Sequence, residues 1–250
     1  MPQVAASAPS HAEVSPGLTR LLRPDPVGPH HLVVLVLDDV AVPDILARND
    51  ELGADAGDLA RVGDGGVLPT AFARVGHGVL LISGPTALDV PDGVDFLPVE
   101  SAAEMHEAVS RHLDRKDIAV FAAAVADYAP AAIAPEKIKK SAGTLTLELV
   151  KTPDILGSAR EPLGFTGTLV GFAAETENLE ANARDKLTRK GCDLIIANDV
   201  SQPGIGFDSN DNKVILVYPD HIESPPLASK HELAHQLVQA ILELHLSLRL

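Results

Sequence analysis

Ile118-Ala119-Val120-Phe121-Ala122-Ala123-Ala124-Val125-Ala126-Asp127-Tyr128 is the stretch that decides how this chain folds. From Ile118 to Val125 it has no polar side chain, so neither face of a strand built from it can sit in water. A short continuous apolar run of this kind is expected of a strand covered on both faces, as in parallel sheets. The small residues Ala122–Ala126 then lead to Asp127 and Tyr128. A flat ligand could approach such a backbone closely while Asp127 supplies an acceptor. Tight helix–sheet packing with a turn-forming aspartate is the other reading of the same string.

Outward from this strand the pattern repeats. Upstream, Leu32–Leu37 and Gly78–Ser83 are continuous apolar runs, the second ended by Gly84-Pro85, and Val94–Val99 is a third strand. Ser101 followed by Glu104 is a capping box and predicts a helix over Ser101–Leu113. Downstream, Thr144–Val150 alternates Thr and Leu and reads as a strand; Leu169–Phe172 and Leu194–Ala197 are further strands. A helix over about Glu177–Lys190 separates those two, with Gly191 where a C′ glycine belongs. Val214–Val217 reads as a strand and Lys230–Leu248 as a long terminal helix. Strands alternating with helices give an α/β fold: a single Rossmann-like three-layer domain, residues 30–250, with a mostly parallel sheet. Ligands of such sheets sit outside the carboxyl ends of the strands. Residues 1–29, rich in Pro, Ala and Ser, read as a flexible tail.

Composition narrows the function classes. The chain has 250 residues, 46% of them hydrophobic but only 3% aromatic, so the core is expected to be aliphatic. A net charge of −15 argues against general nucleic-acid binding. No apolar run is long enough for a membrane span, and no secretory signal is evident. The lone cysteine, Cys192, precludes an internal disulfide and reads as a buried structural thiol, so a reducing, cytoplasmic location is expected. No lysine precedes Lys116; Lys137, Lys139, Lys140, Lys151, Lys186 and Lys190 follow. Such clustering in an acidic chain suggests a local anion site, ordinary surface lysine being the alternative.

Further segments each follow a predicted strand. In Ala134-Pro135-Glu136-Lys137-Ile138-Lys139-Lys140, three ammonium groups could close over a polyphosphate, or form a solvated charge run. In Lys151-Thr152-Pro153-Asp154-Ile155-Leu156, Thr152 reads as an N-cap and Pro153 as a first-turn residue. Free amides at a helix start can hold a phosphate or a base edge. Phe172, at a strand end within Gly171–Thr176, could stack on a base or belong to the core. Lys186 and Lys190 are four apart and share one helix face, which suits a triphosphate and equally an exposed amphipathic helix. The first strand is not followed by GxGxxG, which argues against a dinucleotide oxidoreductase.

Taken in order, AAAVADY, APEKIKK, VKTPDIL, VGFAAET, ARDKL, KGCDLIIANDVS and GFDSNDN resemble the phosphopantothenate–cysteine ligase family. In bacteria this enzyme is usually the second half of a bifunctional decarboxylase/ligase. The resemblance covers about Asp117–Val217, with SGPTAL (Ser83–Leu88) and the helix from Ser101 extending it weakly upstream. It implies ligation of cysteine to 4′-phosphopantothenate in coenzyme A biosynthesis, driven by CTP through an acyl-cytidylate, with Mg²⁺ on the triphosphate. It also implies a homodimer, and a separate decarboxylase chain because 1–30 is too short for a flavin domain; no flavin is expected.

Residue by residue, the resemblance places Phe121, Ala122, Ala123 and Asp127 at the pyrimidine and ribose. Pro153, Asp154, Ile155 and Leu156 run along the nucleotide, Phe172 packs against it, and Lys186 and Lys190 contact CTP. Lys137 becomes the catalytic lysine of a mobile loop, with Lys139, Lys140 and Asn198 near the substrate. The departure lies upstream. The family's Gly-Gly-Thr loop and Asn-x-Ser-Ser-Gly turn are missing; the first strand runs into Leu37-Asp38-Asp39-Val40, and Gly63, Gly65 and Gly66 offer only a glycine-rich stretch. Losing amide donors to a phosphoryl group can cost on the order of 10²-fold in rate. A paralogue activating another carboxylate, or a nucleotide-binding pseudoenzyme, therefore stands beside the working ligase.

Overall fold

The computed structural model describes residues 32–37, 67–86, 89–132, 146–175, 177–199 and 211–250, the first of these by backbone alone. The expected tail, the loop carrying Lys137, Lys139 and Lys140, and Gly63, Gly65 and Gly66 lie outside the described residues.

The apolar runs do form the central sheet. Strands β1 (Leu32–Leu37), β2 (Gly78–Ser83), β3 (Asp95–Pro98) and β4 (Ile118–Phe121) join β7 (Thr168–Glu175) and β8 (Leu194–Asp199) in parallel. An antiparallel edge follows, made of β10 (Val214–Val217) and β11 (Ile222–Glu223). The order is β11-β10-β8-β7-β4-β1-β2-β3. From β1 the chain steps outward one way through β2 and β3, then returns to β4 and steps the other way. The order reverses between β1 and β4, the kind of place where open α/β sheets bind ligands.

Successive side chains of a strand point to opposite faces, and two hydrophobic layers result. Val120, Val170 and Ile196 face helices α1 (Val67–Arg74) and α5 (Lys230–Ser247). Ala119, Leu169 and Ile195 face α2 (Ala102–His112), α3 (Ile155–Arg160) and α4 (Leu179–Lys190). This is the three-layer, Rossmann-like α/β architecture expected. The predicted caps of α2 and α4 are also present. Ser101 Oγ accepts from the Glu104 amide at 3.2 Å, and Gly191 ends α4 at φ 63°, a left-handed conformation that glycine adopts without strain. Cys192 is buried, with its thiol pushed up to about 12, by desolvation first. Among the described residues, no helix is long and apolar enough to cross a membrane.

Three expectations need correction. The strand predicted over Ile118–Val125 stops at Phe121, the last residue paired with both neighbours, and the alanines beyond leave the sheet. Of the strand predicted over Thr144–Val150, the described Thr146–Glu148 lie outside any strand. Leu149 and Val150 belong to β6 (Leu149–Lys151), which among the described residues pairs with β5 (Tyr128–Pro130) in an antiparallel ribbon, with Leu149 and Val150 exposed. Thr152 does not cap α3: its hydroxyl donates to the Ala126 carbonyl, and Asp154 is the cap instead.

Candidate functional site

Because β4 ends at Phe121, level with Gly171, β7 runs on to Glu175 with β8 beside it and, among the described residues, no strand on its other edge. The gap beyond β4 opens into a cleft of about 690 Å³ at the carboxyl ends of the strands. Four separated segments wall it. The β4 end gives Phe121, Ala123, Val125 and Asp127; the α3 start gives Thr152 to Leu156; β7 gives Phe172 and Glu175; and α4 gives Asn182, Asp185, Lys186, Arg189 and Lys190.

Local hydrogen bonds explain why the α3 start sits against the β4 end. The Thr152 amide donates to the Asp127 carbonyl at 3.0 Å, and the Thr152 hydroxyl to Ala126. The chain then turns, and the Asp154 carboxylate accepts from the Gly157 amide at 2.9 Å, an N-cap. A Cβ at residue 157 would stand 2.4 Å from Asp154 Oδ2, so glycine lets the carboxylate keep this position. Deeper in, a Cβ on Gly171 would meet Leu156 Cδ2 at 3.0 Å and Ile195 Cδ1 at 2.8 Å, so its absence lets α3 lie close to β7. At the other end of α3, Arg160 donates to the carbonyls of Phe165, Gly167 and Gly191 and to Asp193 at 2.7 Å. Asp193 in turn accepts from the Leu169 amide at 2.7 Å. The helix is thus pinned at both ends.

Helix α4 presents one charged stripe. Asn182, Asp185, Lys186, Arg189 and Lys190 are spaced three and four apart, and all line the cleft. The Lys190 ammonium pairs with Asp154, and the lysine side chain is only 12% exposed. Burial works against the Asp154 carboxylate, but hydrogen bonds from Lys190 and the Gly157 amide hold it below the ordinary value. Lys186 Nζ donates to the Phe172 carbonyl at 2.7 Å. Desolvation lowers its pKa; a charge on Cys192 would oppose this, Lys190 adds to it, and Glu175 opposes it. An ammonium held on a carbonyl, short of solvent and close to a second ammonium, has the chemistry to receive an anion.

Of the residues singled out in the sequence, Phe121, Ala123, Asp127, Pro153, Asp154, Ile155, Leu156, Phe172, Lys186 and Lys190 share this cleft. Ala122 does not: it is buried in the layer that holds α5. Phe172 requires a correction too. Its side chain shares that layer with Val170 and is 2% exposed, so it cannot stack on a base; the Lys186 contact involves its carbonyl. Asn198 is buried on β8 and is not among the cleft-lining residues. Lys137, Lys139 and Lys140 are outside the described residues, but Tyr128 and Lys151, cross-strand partners at the foot of the ribbon leading to them, line the cleft.

Sequence reasoning passed over Glu175, Asn182, Asp185 and Arg189. The three- and four-residue spacing along α4 was the available signal for the last three. For a divalent cation the fit is partial. Among the described residues no group of three or more His, Cys, Asp or Glu side chains could hold a metal by itself. Any divalent cation here would have to be held chiefly by a bound polyphosphate.

Residues 63–244 match the family model of the DNA/pantothenate metabolism flavoprotein C-terminal domain. The coenzyme A biosynthesis bifunctional protein CoaBC of Vibrio cholerae serotype O1 is 46% identical over 181 residues, 72% of this chain and 45% of that protein. The chain thus spans less than half the length of this relative. A crystal structure of the C-terminal domain of CoaBC covers 84% of this chain and 93% of its own, at 29% identity and a TM-score of 0.62. A mutant Cab2 in complex with phosphopantothenate-cysteine superposes with a TM-score of 0.66 at 16% identity, over 87% of each chain, a likeness of fold.

Proposed function

Because the chain belongs to the family of DNA/pantothenate metabolism flavoprotein C-terminal domains, we propose that it joins cysteine to 4′-phosphopantothenate in coenzyme A biosynthesis, using CTP. The observation that carries this reading is the cleft itself. It gathers Asp127, the Pro153–Leu156 turn, Lys186 and Lys190 from distant parts of the chain at the carboxyl ends of β4 and β7. The names of the relatives point the same way.

A carboxylate is a poor acyl donor, so one of its oxygens first attacks the α-phosphorus of CTP. A P–O bond breaks, pyrophosphate leaves and a mixed acyl-cytidylate remains. The cysteine amine then attacks the acyl carbon, CMP leaves with the bonding electrons, and the amine loses a proton. Lys186 and Lys190 stand where charge accumulates on the phosphates. Lys190 stays oriented by Asp154, and Lys186 by the Phe172 carbonyl. Asp127, at the mouth, meets the nucleoside. Lys137 acts as the catalytic lysine, with Lys139 and Lys140 near the substrate, on the segment whose ribbon begins at the cleft rim. A Mg²⁺ ion, if bound, would be held chiefly by the triphosphate itself and would offset charge on its phosphates. The proposal extends to a cytoplasmic homodimer.

The test is a pyrophosphate assay with CTP or ATP, with and without cysteine. Pyrophosphate is expected with CTP and 4′-phosphopantothenate, and CMP only once cysteine is added. Lys137→Ala should abolish turnover and leave CTP affinity within a few-fold. Normal turnover in that variant would remove Lys137 from the mechanism. CTP binding without pyrophosphate, whatever the carboxylate, would make the chain a binding module, the reading favoured by the missing Gly-Gly-Thr and Asn-x-Ser-Ser-Gly strings.

A further inference from the structure

We infer that Glu175, held by Asn182, is the acceptor for the sugar hydroxyls of the bound nucleotide and makes the cleft selective for ribonucleotides. This inference rests on the reading of the cleft as a nucleotide site. Nothing in the resemblance assigns either residue.

Glu175 is the last residue of β7, beyond the end of β4, so its side chain stands over the opening. It shares the parity of Gly171 and Ala173, which places it on the α4 side of the sheet. There Asn182 Nδ2 donates to Glu175 Oε2 at 2.8 Å and to the Glu177 carbonyl at 3.0 Å. Both N–H groups of the amide are thus used, which fixes its orientation and leaves Asn182 Oδ1 as a further acceptor. Among the described residues no donor reaches Glu175 Oε1. The result is a fixed cluster of acceptors on the cleft wall.

The charges of the cleft decide which part of a nucleotide such a cluster receives. Asp154 is paired with Lys190, and Asp185 with Arg189 at 3.3 Å. Among the described residues Glu175 has a neutral amide as its hydrogen-bond partner. A carboxylate so placed repels phosphate oxygens and accepts hydroxyl protons, whereas Lys186 and Lys190 attract phosphates. A nucleoside triphosphate satisfies both requirements when its phosphates lie toward the two ammonium groups and its ribose diol toward Glu175. A site built to accept a hydroxyl proton discriminates against an analogue lacking it, because its acceptors are left unpaired.

The experiment is titration calorimetry of the full chain with CTP, 2′-deoxy-CTP and 3′-deoxy-CTP, repeated on Glu175→Ala, Glu175→Gln and Asn182→Ala. In the wild type at least one deoxy analogue should bind about tenfold more weakly, as expected for one hydrogen bond to a charged acceptor. The ribo/deoxy ratio should fall toward one in Glu175→Ala and to an intermediate value in Glu175→Gln. In Asn182→Ala it should fall while CTP still binds, since a merely structural loss would weaken all three ligands alike. Equal binding of CTP and both deoxy analogues by the wild type would overturn this inference and leave the nucleotide reading intact. So would a preference that survives unchanged in Glu175→Ala. Failure of the wild type to bind CTP at all would overturn both.

Discussion

Replacing Lys186 by methionine should weaken nucleotide binding without weakening the fold. Methionine keeps the unbranched stem against α4 and β7 and removes the ammonium. The folded chain loses the 2.7 Å hydrogen bond to the Phe172 carbonyl, worth about 1 kcal/mol. It also no longer holds a charged group short of solvent, which works in the opposite direction. The two effects oppose each other, so stability in urea should change by less than ~1 kcal/mol. The ligand complex has no such offset. One charge-assisted hydrogen bond to a phosphate contributes roughly 1.5–3 kcal/mol, so CTP should bind about 10- to 100-fold more weakly. The pH dependence gives the sharper test. The lysine's folded pKa is below 10.5, so in the window beneath that value the unfolded chain holds a proton that the folded, ligand-free chain has released. Stability from this group therefore rises with pH through that window. A bound polyphosphate favours the protonated form, so CTP affinity should fall with rising pH over the same window and binding should take up a proton. Calorimetry in two buffers of different ionisation enthalpy measures that uptake. If Lys186→Met binds CTP within two-fold of wild type, or the proton uptake persists in it, the ammonium is not the anion receptor.

Two further outcomes test the framework around the cleft. Arg160→Ala removes donors from three carbonyls and from Asp193, leaving that carboxylate partly buried. It should cost about 2–4 kcal/mol in urea unfolding, with Arg160→Lys recovering little because an ammonium lacks the planar fork; an unchanged midpoint would show that α3 is held some other way. Cys192, with its thiol pushed up to about 12, should react with a disulfide reagent near pH ~8 at the rate of chain opening, and rapidly in denaturant. Immediate stoichiometric reaction of the folded chain would contradict the buried position on which the packing around Gly171 relies.

The sheet was legible because burial on both faces demands uninterrupted apolar residues, and few other structures do. Strand ends were less so. Alanine has no strong strand preference, so nothing in Ala122–Val125 signals that pairing stops at Phe121. What stops it is the neighbouring segment, tied by Thr152 to Ala126 and Asp127. Of the segment with Thr/Leu alternation, only Leu149 and Val150 among the described residues join a strand, and a period of two does not say which sheet it joins. The exposure of Leu149 and Val150 marks a ribbon standing off the core.

The site was legible as a set of positions and misread in its atoms. A string match identifies residues, whereas parity along the strand decides which face each side chain takes. Phe172 follows Gly171 and precedes Ala173, both on the α4 side; its ring must therefore turn to the opposite layer, and only its backbone can serve the cleft. The carbonyl is what Lys186 uses. The same parity selects Glu175, whose string was matched but whose side chain was given no role. The acidic balance of the chain has a parallel explanation. In this cleft Lys190 and Arg189 have carboxylate partners and Lys186 a carbonyl. On the proposed reading, anion capture would exchange nearby partners for phosphate oxygens, which requires no positive surface. A net charge of −15 can therefore coexist with a polyphosphate site, and that site is marked by its internal pairing, which composition does not report.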